Sequence, residues 1–329
     1  MVNCNHIPPS PLIAHITVPG ESCPLERPHG SILVTGSTGF VGRLLRKRLL
    51  DDGFPVRCMV RSTASTMLDG AETVQGDMLV PATLVRVLEG IDTAYYLVHS
   101  MSGGRGGFER RDREAAKNFV AAANRAHVRR VIYLGGLGET GDDLSEHLKS
   151  RLEVADILKQ GTFATTFLRA AVIIGAGGAS FEMVRSLVER LPLMITPRWV
   201  MTRCQPIAVA DVIGYLAGCL TDERTCGRTF DIGGPEVLTY REMMEHLARI
   251  EGRRLYILPV PVLTPKLSSY WVGFITPVPP SVSMPLIEGL KNEVICRDTA
   301  IRDLIPLRLT PYDEAVRIAL RGVGDTISE

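Results

Sequence analysis

Apolar and polar positions change rhythm at residue 30. Before it, prolines at 8, 9, 11, 19, 24 and 28 interrupt every nascent period, and residues 1–29 read as an irregular extension. After it, short apolar runs alternate with helical periods. Strands are predicted at Ser31–Thr35, Val56–Val60, Thr73–Gln75, Thr93–Val98, Val131–Leu134 and Thr165–Leu168. Between them lie helices over Val41–Asp52, Pro81–Leu88, Phe108–His127 and Glu146–Lys159, with Gly53 and Gly90 as stops. Strand alternating with helix over short connections predicts a parallel sheet covered on both faces, wound by right-handed crossovers. Beyond residue 175 the alternation fades. Helical periods remain at Phe181–Leu191, Tyr240–Glu251, Pro285–Lys291 and Pro311–Leu320, with a strand-end-to-helix pattern at Pro206–Leu220 and a short strand at Thr229–Gly234.

The fold class is therefore α/β, a Rossmann-like doubly wound parallel sheet with a smaller C-terminal substrate lobe. Three parts are expected: 1–29, a dinucleotide-binding domain over 30–175, and a lobe over 176–329 whose segments near 205–235 return to the first domain. Composition narrows the class little. Of 329 residues 45% are hydrophobic and 22% charged, and Lys+Arg 37 balances Asp+Glu 36. That balance gives no reason to expect nucleic acid, and aromatics at 6% give no stacking platform. The seven cysteines have no Cys-x-x-Cys spacing, so neither a metal site nor a disulfide framework is expected. Prolines at 259, 261, 265, 277, 279 and 280 break the most apolar stretch, so no membrane span is expected. With no evident signal peptide, the default is a soluble cytoplasmic protein; an oligomer is compatible with the sequence.

The strongest chemical signal is Thr35-Gly36-Ser37-Thr38-Gly39-Phe40-Val41-Gly42, between the first strand and the first helix. Gly36 permits a tight turn, Gly39 admits a pyrophosphate to the backbone, and Gly42 lets helix and strand pack closely. The helix N-terminus offers N–H groups to phosphates. At the end of the second strand, where an acid would meet a ribose 2′-hydroxyl, the chain has Arg61-Ser62-Thr63. A guanidinium with hydroxyls suits a 2′-phosphate, so NADP(H) is favoured over NAD(H), with Arg43 as a possible helper. Asp77, before Met78, either accepts from the adenine amine or caps the next turn.

These residues resemble the short-chain dehydrogenase/reductase superfamily, in its extended and atypical branches. Further likeness lies in Gly76-Asp77, Phe167–Arg185, Pro206–Val212 and Thr229–Met244, which are similar to NmrA-like and epimerase-like signatures. The subgroup resembled includes the NADPH-binding subunit of respiratory complex I. The resemblance implies a Ser after the fifth strand and a Tyr-x-x-x-Lys on the following helix. Here Gly135-Gly136 and His147-Leu-Lys-Ser-Arg151 stand in those places. His147 is the favoured proton donor and Arg151 the ribose or phosphate anchor, unless this helix face looks to solvent. Tyr95, Tyr96, His99, Ser100 and Glu139 are further donor candidates, although Tyr95 and Tyr96 equally suit strand core. Ser100–Gly107 reads as a lid or a plain loop. Met183, Met194, Met201, Trp199, Tyr270 and Trp271 suit either an apolar substrate pocket or ordinary core. Two functions remain open: an NADP(H)-dependent oxidoreductase acting on a carbonyl or conjugated C=C of an apolar small molecule, or a catalytically silent NADPH-binding structural or redox-sensing protein. An epimerase or dehydratase with tightly held nucleotide is a third.

Overall fold

A computed structural model of the chain describes residues 30–62, 68–98, 104–138, 146–260 and 292–325. Residues 1–29, His99, Ser100, Glu139, Tyr270, Trp271 and the helix expected over Pro285–Lys291 lie outside them. The first half runs β1 (Ser31–Val34), α1 (Phe40–Asp51), β2 (Val56–Val60), β3 (Glu72–Gln75), α2 (Pro81–Leu88), β4 (Ile91–Tyr96), α3 (Gly104–Arg125), β5 (Arg130–Gly136), α4 (Glu146–Leu158) and β6 (Ala164–Ala170). Then come β7 (Ile173–Ile174), α5 (Ala179–Arg190), β8 (Leu193–Pro197), β9 (Arg203–Cys204), β10 (Ile207–Ala208), α6 (Val209–Thr221), β11 (Thr229–Ile232), β12 (Leu238–Thr239), α7 (Tyr240–Ile250), β13 (Tyr256–Val260), α8 (Ile301–Leu304) and α9 (Tyr312–Asp325).

Seven strands form one parallel sheet in the order β11-β6-β5-β4-β1-β2-β3. This is the doubly wound α/β fold. Its central strands are buried on both faces, which is why Ile32, Leu33 and Val34 are consecutive apolar residues with no exposure. One face packs on α2, α3 and α4 through Leu84, Val87, Phe119 and Val154. The other packs on α1 and α6 through Leu45, Leu49, Val212 and Leu216. A separate apolar cluster joins α5, α7 and α9 through Phe181, Leu187, Leu247 and Val316. Met183 and Met194 belong to that core, and Trp199 packs edge-on against Tyr240 at 6.2 Å. These three serve as core here, while Met201 is exposed.

Local chemistry sets several ends. Gly53 takes φ +80° after α1, the left-handed stop glycine accepts without strain. Thr239 and Glu242 form a reciprocal capping box that starts α7. Three differences from the sequence expectation have physical causes. Strand β4 begins at Ile91, because Asp92, poor strand material alone, is ion-paired with Arg129. Helix α3 begins at Gly104, so half of the expected Ser100–Gly107 loop is helix; glycines cost helix stability, but extending a formed helix costs less than starting one. Strands β8 and β13, unforeseen among prolines, pair in parallel and leave Leu193, Ile195, Tyr256 and Leu258 exposed.

The five described cysteines Cys58, Cys204, Cys219, Cys226 and Cys296 are free thiols. Among the described residues no group of acidic, His or Cys side chains could hold a metal, and no helix is long and apolar enough to cross a membrane.

The edge strand β11 is locked to β6 by charge as well as by backbone bonds. Arg169 Nε donates to Asp231 Oδ1 at 2.7 Å, and Asp231 Oδ2 accepts from the backbone N–H of Arg297 and Asp298 at 2.9 and 3.2 Å. Asp231 is buried, so all its compensation comes from these donors. Asp231→Ala is expected to lose about 3 kcal/mol of unfolding free energy in urea, because a guanidinium is left behind without its partner. A loss under about 0.5 kcal/mol, the size of a surface change, contradicts this reading.

Candidate functional site

The strand order reverses between β1 and β4, and the crevice above the carboxyl ends there is where a doubly wound sheet takes ligands. The glycine turn stands at that point and is bolted to both strands. Thr35 Oγ1 donates to the Tyr95 carbonyl at 2.9 Å and accepts from the Leu97 N–H at 3.0 Å. Gly36 has φ +66°, and a Cβ there would lie 2.7 Å from the Leu97 carbonyl oxygen. A Cβ on Gly42 would lie 2.1 Å from the Gly36 carbonyl oxygen, so only glycine lets α1 approach the turn. Ser37 Oγ donates to the Met59 carbonyl at 3.4 Å, tying the turn to β2.

Helix α1 starts without an acidic residue in its first turn and without a side-chain cap on its Gly39 N-cap. Its leading N–H groups thus keep their capacity for an anion. Thr38 and Gly39 are exposed, and Phe40 and Val41 are half-buried. Phe40 wedges against Gly175 and Gly178, where a Cβ would meet its ring at 2.8 and 2.9 Å. The turn therefore fits a dinucleotide pyrophosphate in shape and in charge.

Around it, Arg61 and Ser62 are exposed at the end of β2, and the Arg61 carbonyl accepts from Gln75 Nε2 at 3.1 Å. Asp77 Oδ1 accepts from the Leu79 N–H at 2.9 Å, so it caps the next turn with one carboxylate oxygen. Met78 is buried, its carbonyl held by Asn118 Nδ2 at 2.9 Å. Arg43 is exposed and reaches toward Gly177.

The two tyrosines of β4 are core. Tyr95 OH donates to the Leu216 carbonyl at 2.9 Å, and Tyr96 packs edge-on against Phe119 and Tyr133 at 5.1 and 5.9 Å. Burial pushes both phenols far above their usual range, so the expectation of Tyr96 as a proton donor is corrected. Arg151 turns inward: its Nη1 donates to the Leu134 carbonyl on β5 at 3.2 Å, and its Nε is buried without a hydrogen-bond partner among the described residues. Tyr133 OH donates to the Arg151 carbonyl at 3.3 Å, fixing α4 on β5. His147 lies one turn earlier on α4, and its side chain is outside the described residues.

A cleft of about 320 Å³ opens beyond the ends of β5, β6 and β11, lined by Leu137, Gly138, Arg169, Asp231, Glu293, Ile295 and Arg297. The sequence reading missed it. Its polar residues come from positions far apart in the chain, and no local spacing announces them.

The profile of a family described as NAD(P)H-binding matches residues 36–184, from the first glycine of the turn into α5. A (4-alkanoyl-5-oxo-2,5-dihydrofuran-3-yl)methyl phosphate reductase of Streptomyces griseus is 31% identical, over 68% of this chain and 75% of its own. The chain belongs to this NAD(P)H-binding family. The chloroplast divinyl chlorophyllide a 8-vinyl-reductase of Arabidopsis thaliana is 26% identical over 70% of this chain, which spans 60% of that relative's length. The Citrobacter sp. triphenylmethane reductase, solved with NADP(H), superposes with a TM-score of 0.71 at 21% identity, covering 88% of this chain and 99% of its own. That likeness is one of fold.

The Gly36–Gly42 approach yields a direct test. Gly42→Ala is expected to lower the thermal midpoint, by about 1–3 kcal/mol of stability, and to abolish dinucleotide binding. A variant that melts with the wild type and still binds contradicts the packing account.

Proposed function

We propose that the protein is an NADP(H)-dependent reductase of a conjugated C=C bond in an apolar small molecule. The observation that carries this reading is the turn at the switch point: a close-packed glycine turn opening an uncapped, acid-free helix N-terminus. Arg61 is the proposed counterion of a 2′-phosphate, with Ser62 beside it. Asp77 meets the adenine amine through the carboxylate oxygen not used in capping.

Bound NADPH supplies hydride from nicotinamide C4 to the electrophilic end of the conjugated bond. The chain's own task is then to hold both reactants in line and to deliver a proton. Arg151, inward-facing with a buried Nε that has no partner among the described residues, is the proposed anchor of the nicotinamide-side ribose. A guanidinium is by its chemistry a poor proton donor, so the proton has to come from another group. His147 is the proposed donor, one turn away on the same helix. Conjugation spreads the developing negative charge away from the carbon under attack. A strong acid beside that carbon, the part a tyrosine plays in carbonyl reduction, matters less here. The Gly135-Gly136 pair and the absent tyrosine favour this chemistry over reduction of a simple ketone. The reductase names of the two sequence relatives support it, since a vinyl group and a dihydrofuran both contain C=C bonds.

Two experiments test the reading. Arg61→Ala is expected to weaken NADPH binding by about tenfold and to leave NADH unchanged, the difference of one charge-assisted contact. Unchanged NADPH preference removes Arg61 from the site. A screen of enones, enoates and simple ketones, followed by loss of NADPH absorbance, is expected to give turnover on conjugated acceptors only, slowed in His147→Ala. Turnover on ketones alone overturns the C=C assignment. No turnover with intact NADPH binding supports the second reading, a catalytically silent NADPH-binding protein, which the missing Ser, Tyr and Lys also favour.

A further inference from the structure

Helix α1 carries an arginine whose charge nothing described in the protein answers. Arg46 is half-buried, and its Nε and Nη1 are both shielded from water without a hydrogen-bond partner among the described residues. A guanidinium keeps its charge even when desolvated, so such atoms call for an anion.

Its position says which anion. Arg46 lies in the second turn of α1, and helical side chains lean back toward the helix N-terminus, here the phosphate turn. It shares a stripe with Leu50, whose methyl carbon would lie 3.4 Å from a Cβ on Gly70 at the end of the β2–β3 connection. Arg46 thus looks toward β2 and the chain that leaves it. Its charge acts on the Cys58 thiol, which also bonds with the Ser37 side chain. Ser37 belongs to the glycine turn, and Cys58 precedes by two residues the strand end at Val60. Side chains alternate along a strand, so Val56, Cys58 and Val60 fall on the α1 side of the sheet, just before the strand end that carries Arg61. Cys58 is no counterion, because burial pushes its thiol up and keeps it neutral.

Resting on the NADP(H) reading above, we infer that Arg46 is a second cation for the adenosine 2′-phosphate, reaching it from the α1 side of β2 while Arg61 reaches it from the strand end. A phosphate monoester carries close to two negative charges at neutral pH and has three acceptor oxygens, enough for both guanidiniums. An unphosphorylated ribose offers Arg46 no charge. The arginine therefore separates NADPH from NADH rather than strengthening both.

The test measures affinity, not turnover. Full-length wild type, Arg46→Met and Arg46→Lys are titrated with NADPH, NADH, 2′,5′-ADP and 5′-AMP. Arg46→Met is expected to weaken NADPH and 2′,5′-ADP by about tenfold or more and to leave NADH and 5′-AMP within about twofold; Arg46→Lys restores part of the loss. An equal loss for NADPH and NADH makes Arg46 a packing residue and overturns the proposal. Unchanged NADPH affinity overturns it too. Should Arg46→Met fail to fold, Arg46→Lys carries the test alone: it must weaken NADPH and not NADH, since an ammonium cannot reproduce the guanidinium's fork. A wild type without preference for NADPH sinks the cofactor reading itself, whereas a preference that survives both substitutions sinks only the role of Arg46.

Discussion

The close approach of α1 to the turn that precedes it governs this structure. The Gly42 Cα sits where any side chain would strike the Gly36 carbonyl. That contact sets where the helix N-terminus points and how far α1 stands from β1 and β2. Leu45 and Leu49 then fall into the sheet's core, with Arg46 half-buried between them in sequence. Thr35 fastens the same turn to β4 across the switch point. One steric constraint thereby fixes the core register and the mouth of the crevice together.

The rest of the molecule arranges itself around that mouth. Phe40 carries the turn against the Gly175–Gly178 segment that leads into α5, linking the sheet to the second apolar cluster. The Arg169–Asp231 pair holds β11 to β6 and brings the 293–297 segment to the rim of the cleft beyond β5. Arg151 turns inward on β5 from the other side. The glycine turn and a partly polar cleft thus lie at the same carboxyl edge, an arrangement that the proposed hydride transfer would need.

Much of this was legible along the chain. The turn glycines stood in their strand–turn–helix context, and the apolar runs located the first six strands within a residue or two. What escaped depended on contacts distant in sequence. Asp231 reads as an ordinary strand-edge acid until Arg169, 62 positions away, is seen beside it. Arg46, inside Arg43-Leu-Leu-Arg-Lys-Arg48, reads as one more surface charge; only the packing of α1 on β2 distinguishes it from Lys47 and Arg48, which pair with Asp51 and Asp52. Tyr95 and Tyr96 were ambiguous because alternation along a strand does not tell which face has room for water. Here both faces are core.

The central claim is that this turn holds the pyrophosphate of NADP(H). The most direct measurement is a crystal structure of the full chain with NADPH. The account predicts the pyrophosphate about 3 Å from backbone N–H groups at the start of α1, with the 2′-phosphate at the end of β2. A nucleotide bound elsewhere, or a turn left empty at saturating NADPH, contradicts it.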